Sequence, residues 1–141
     1  MDTLVATLAA WIVANTKLAA PPHPPQVLLV PEHKIVELYY RGRAPNPYFR
    51  LEAFYSPFNA TIYLRDTWRP DIVGKSVLLH EIGHNLQRFN RVSFHCRAAA
   101  ERQAYDWQFT WLHEQGVTDP FVVMGIDEFT IRIAFACPDE E

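Results

Sequence analysis

The chain has 141 residues, enough for one domain with a single core and too few for two. Hydrophobic residues make up 49% and charged residues 21%, the balance of an ordinary globular protein. A net charge of −3, with basic residues scattered in pairs, leaves no footprint for nucleic acid or an anionic membrane, and no stretch approaches the ~20 apolar residues of a membrane span.

Residues 3–16 read as a helix, with Leu4, Leu8, Trp11 and Ile12 on one face. The same stretch could serve as the core of a signal peptide cleaved after Leu18-Ala19-Ala20. It lacks the basic lead-in, because Asp2 is the only charge before Lys17, so a structural first helix is the better reading. Pro21-Pro22-His23-Pro24-Pro25 is a stiff connector. A buried strand is expected over 26–30, stopped by Pro31, then a short helix over 32–40 ended near Gly42. Two strands follow at 49–55 and 60–64 around the turn Ser56-Pro57-Phe58-Asn59. Asn59-Ala60-Thr61 matches a glycosylation acceptor but reads better as a turn asparagine. A helix over 72–89 has Asp71 as its N-cap, and a second long helix runs over 97–115 to Gly116. Residues 127–136 form a short helix, although the alternation at 130–135 also allows a strand. The expected fold is α+β: a small mixed sheet packed on the two long helices, with the first helix closing the core. The one domain divides into an N-terminal helix and connector (1–25), a core (26–116) and a C-terminal segment (117–141).

The chemistry lies in His80-Glu81-Ile82-Gly83-His84, an H-E-x-x-H motif inside the 72–89 helix. Residues four apart on a helix stand one above the other, so both imidazoles can reach one metal ion. Glu81 falls beside it, where a carboxylate can take a proton from metal-activated water. Such a pattern also arises by chance as two polar histidines on an amphipathic helix. Here Leu78, Ile82, Leu86 and Phe89 complete an apolar stripe without them, and the histidines share the other side with Val73, Val77 and Gln87. Gly83 costs about 1 kcal/mol of helix propensity, and close approach of another backbone is the expected return.

A catalytic zinc site needs a third protein ligand. Among His95, Glu101, Asp106, His113 and Glu114, Glu101 is the best choice. It shares a helix face with Ala98, Tyr105, Gln108 and Leu112, and Ala98-Ala99-Ala100 lets another helix come close. His113 is the runner-up; His95 precedes the helix and is close to His84 in sequence. Cys96 and Cys137 are in no C-x-x-C arrangement. Either they form one disulfide tying the C-terminal segment to the loop after the motif helix, which fits a periplasmic or secreted protein, or they are buried thiols of a cytoplasmic one; the disulfide is slightly preferred.

With His80-Glu81-x-x-His84 and Ala100-Glu101-Arg102-Gln103-Ala104 in place, the chain resembles the gluzincins, zincin metallopeptidases whose third ligand is a glutamate on a following helix. It is similar more closely to small, mostly uncharacterised bacterial zincin-like domains, through 80–87 and 96–112. Phe58-Asn59-Ala60-Thr61-Ile62-Tyr63-Leu64 resembles the turn and edge strand of small gluzincins. Where many gluzincins carry an aspartate four residues after the glutamate, this chain has Tyr105, with Asp106 on another face. The resemblance implies a Zn²⁺ peptidase: His80, His84 and Glu101 as ligands, Glu81 as general base, and a peptide or protein substrate paired along the strand at Ala60–Leu64. Tyr105 is the candidate donor to the oxyanion, with His95 and Tyr63 as alternatives. Competing readings are a binding or regulatory module that retains the metal without turnover, and a domain in which metal only joins two helices.

Overall fold

The computed structural model describes residues 1–47 and 50–138. Six helices and a three-stranded sheet are present among them, an α+β arrangement. Helix α1 (Asp2–Asn15) buries Val5, Leu8 and Ile12 against helix α3 (Ile72–Phe89), with Leu4 and Trp11 partly covered beside them. The indole of Trp11 donates to Glu114 at 2.5 Å, fastening α1 to the far end of helix α4 (Arg97–Glu114). After the prolines, Ala19 and the Asn90 side chain exchange two 2.9 Å hydrogen bonds, which pins the connector to the end of α3.

Strand β1 (Gln26–Val30) pairs parallel to β3 (Thr61–Arg65), and β2 (Ala53–Ser56) pairs antiparallel to it, in the order β1-β3-β2. Helix α2 (Glu32–Tyr40) connects β1 to the segment leading into β2. This order corrects one expectation. The strand at Ala60–Leu64 is not an edge: β3 is central, and both rows of its backbone groups are taken up by neighbours. Its composition explains the placement, since Ile62 and Leu64 are fully buried and Thr61 and Arg65 nearly so. The free edge nearest the long helices belongs to β2. That strand is shorter than expected, beginning at Ala53; Phe49, where it was expected to start, lies outside the described residues.

Helix α3 starts where Asp71 accepts a hydrogen bond from Gly74 N at 2.8 Å, the expected cap. Leu78, Leu79, Ile82 and Leu86 have no exposed surface and form the centre of the core. Phe89, assigned to that stripe from the sequence, is the last residue of the helix and is 45% exposed, outside the core. Gly83 meets α4: a Cβ there would lie 2.9 Å from the ring of Trp107, and Ala104 is the next neighbour. The close helix approach is therefore made at Gly83, Ala104 and Trp107. Ala98 and Ala100 face the cleft instead.

The C-terminal segment has two short helices, α5 (Pro120–Met124), which periodicity did not reveal, and α6 (Glu128–Ala134), each capped by an aspartate, Asp119 and Asp127. Cys96 and Cys137 form a disulfide, closing this segment onto the start of α4. Among the described residues no helix is long and apolar enough to cross a membrane.

Candidate metal centre

Helix α3 presents His80, Glu81 and His84 with ligand atoms within 4.8 Å of one another, a group that can hold a metal ion. Helix α4 crosses close to Gly83 and brings in Glu101. One carboxylate oxygen stands 2.5 Å from Nε2 of His84 and the other 3.4 Å from Nε2 of His80. His113, the runner-up, lies at the other end of α4 with Nδ1 on the Val117 carbonyl at 3.0 Å. His95 and Tyr63 do not line the cleft; the Tyr63 hydroxyl accepts from Asn59 and its ring stacks on Phe54.

Two glutamines fix the imidazoles. Ser76 gives its hydroxyl proton to the Val73 carbonyl at 2.7 Å, so its lone pair is free to accept from the Gln108 amide at 3.1 Å. That turns Gln108 Oε1 toward His80 Nδ1, 3.0 Å away, and places the ring proton on Nδ1. Gln87 repeats the device. Its NH₂ donates to the Ala100 carbonyl and to Gln103, both at 3.0 Å, so its oxygen faces His84 Nδ1 at 2.9 Å. Both rings then point an Nε2 lone pair at the Glu101 carboxylate. Lone pairs facing a carboxylate repel unless a cation lies between them. The 2.5 Å approach of the buried His84 Nε2 to the Glu101 carboxylate demands a proton or a metal ion between them. This donor set fits a metal ion: two neutral imidazoles, one carboxylate, and two outer amides that lock the tautomers.

Without an ion, a proton supplies the positive charge. Burial alone would lower the His84 pKa; the adjoining Glu101 and nearby Glu81 outweigh it and raise it to about 9. Burial likewise works against ionised Glu101, yet the two histidines hold its carboxyl well below the usual range. Glu81 is only 6% exposed, and burial pushes it upward against the opposing pull of His80 and His84. A base held in this way can accept a proton more readily than a solvated carboxylate.

Tyr105 also lies at the centre. Its ring meets His80 edge-on at 4.4 Å and packs on Phe109 and Phe135. Burial, with Glu101 and Glu81 adding to it, raises the phenol pKa, so the hydroxyl keeps its proton and can donate. Tyr105 fills the position four residues after Glu101, and Gln108 does the anchoring of His80. Asp106 faces away, beside Arg102. The sequence showed Gln87 and Gln108 on the right faces, but gave no sign that each would anchor a histidine.

The centre opens into a cleft of about 1230 Å³, lined by all of β2, the C-terminal half of α3, the start of α4, and Met124 to Ile126 and Phe135 of the disulfide-tied tail. That volume exceeds a typical small-ligand pocket of roughly 300–1,000 Å³ and leaves room for an extended chain.

The chain belongs to a family described as a domain of unknown function, DUF6647, whose profile matches residues 1–137. No curated protein and no solved structure matches it.

Proposed function

We propose that the protein is a zinc-dependent peptidase of the zincin kind, with His80, His84 and Glu101 holding the ion. The observation that carries this reading is the convergence on one carboxylate of two imidazole Nε2 atoms, each ring held at Nδ1 by a glutamine, with a buried Glu81 alongside and an open cleft in front. A purely structural ion would need neither the base nor the opening.

When held by His80, His84 and Glu101, the ion would supply Lewis acidity, lowering the pKa of attacking water toward ~7 and polarising a scissile carbonyl. Glu81 takes the water proton and delivers it to the departing amine. Tyr105, kept protonated by its burial, donates to the oxygen that gains charge. The substrate backbone pairs with the free edge of β2, Ala53–Ser56, which lines the cleft. The Cys96–Cys137 disulfide fits an oxidising compartment, and we place the protein in a periplasm or outside the cell.

The test pairs metal stoichiometry with turnover. Wild type should bind about one Zn²⁺ per chain, Glu101→Ala should lose most of it, and Glu81→Gln should keep the ion while hydrolysis of a peptide library falls by at least ~100-fold. Retention of full activity by Glu81→Gln would sink the mechanism. Failure of wild type to take up zinc would sink the whole reading.

A further inference from the structure

We propose that the cleft selects acidic peptides, with carboxylate side chains next to the scissile bond; this specifies the substrate class of the peptidase reading above and rests on it. Five of the chain's ten arginines line the cleft, Arg41, Arg43, Arg50, Arg88 and Arg97, and none of its three lysines does. The chain as a whole carries −3, so the lining has the opposite sign to the rest of the molecule. Among the described residues its only acid outside the metal centre is Glu52, and that carboxylate is taken up by Arg50 at 2.5 Å.

The other four guanidiniums have no carboxylate partner among the described residues. Two are held in place without being neutralised. Arg43 donates to the carbonyls of Tyr40 and Tyr39, at 3.0 and 3.2 Å, and Arg41 lies 4.2 Å over the ring of Phe58. The remaining two flank the ion site. Arg88 follows His84 by four residues on α3, and Arg97 precedes Glu101 by four on α4. Each stands one helical turn, roughly 6 Å, from a metal-site residue on the same helix face. Arg88 suits the last turn of a helix, where a cation is favoured. Arg97 occupies a first turn, where the helix end is already positive and a carboxylate would be the stabilising choice. A local rule broken at the rim of a site is what a binding role for that charge would require. A concave surface with one sign of charge concentrates ligands of the other.

The experiment uses Glu81→Gln protein supplied with Zn²⁺, which binds without turnover, and two fluorescein-labelled peptides that differ only in carrying glutamates or lysines. Anisotropy should show the glutamate peptide bound about tenfold more tightly or better, with the gap closing as NaCl shortens the screening length below ~10 Å. Adding Arg88→Glu and Arg97→Glu should abolish or invert the preference while circular dichroism and zinc content stay unchanged; the Arg→Gln pair should fall between. Equal binding, tighter binding of the lysine peptide, or binding of neither overturns the proposal. Turnover by wild type separates the two readings. Hydrolysis without charge preference retains the peptidase and removes the acidic selectivity. Charge-selective binding without hydrolysis retains the selectivity and removes the peptidase.

Discussion

Replacing Gln108 with leucine tests the chain of hydrogen bonds behind His80. Gln108 is almost completely buried on α4, and a leucine of similar size fills its space. Ser76 loses only a donor to its lone pair, since its own proton stays on the Val73 carbonyl. The serious loss is at His80, whose Nδ1–H is left buried without an acceptor, a cost of about 1–3 kcal/mol. The ring can relieve this by moving the proton to Nε2, but that nitrogen is the one aimed at the ion site, and the proton must then leave before an ion can bind. The penalty therefore reappears in metal affinity. Loss of an outer-shell partner of this kind typically weakens a site about 10–100-fold, or roughly 1.4–2.7 kcal/mol. Competition against a chromogenic chelator at neutral pH measures the affinity, and nitrogen-15 NMR of the His80 ring reports the tautomer. Gln115→Leu, at the exposed C-cap just beyond the same helix, controls for loss of polarity. Unchanged zinc affinity in Gln108→Leu, or an Nε2–H tautomer already dominant in metal-free wild type, would refute the reasoning.

Two further outcomes follow from the same geometry. In the metal-free protein His84 titrates near pH 9 in place of 6.5. A raised histidine pKa stabilises the fold fully below pH 6.5, and the contribution is lost as pH rises through 9; the depressed Glu101 adds stability above 4.5 that disappears on acidification. Metal-free protein should thus lose stability between pH 6 and 9 in urea unfolding, and Glu101→Gln should flatten that slope. Zinc binding at pH 7 should release about one proton, read as a dependence of calorimetric heat on buffer ionisation enthalpy. Cys137→Ser opens a loop spanning 41 residues and should cost up to about 4 kcal/mol if chain entropy dominates, measured by denaturant unfolding with and without reductant. No change in midpoint would mean the tail contributes little to holding α4.

The long helices were legible because their signals are local. Asp71 caps Gly74 within one turn, and the 3.6-residue period of α3 shows in Leu78, Ile82 and Leu86. The sheet was less legible. Ile62 and Leu64 mark β3 as a strand, but whether a strand is central or at an edge depends on two partners remote in the chain, and a resemblance to edge strands pointed the wrong way. Helix α5 has only five residues, too few for a period to emerge.

By itself the sequence determined that His80 and His84 share one helix face with Glu81 beside them, because α-helix geometry converts a spacing of four directly into proximity. It also singled out Glu101 as the third group. Tertiary structure alone decided that Glu101 meets those imidazoles, since this needs α4 to cross at Gly83 and Trp107. It alone turned Gln87 and Gln108 into the anchors of the two rings, and gathered arginines from α3, α4 and the segment before β2 around one cleft. Those contacts join residues far apart in the chain, and they form only once the core has set the distance and rotation of one helix against the other.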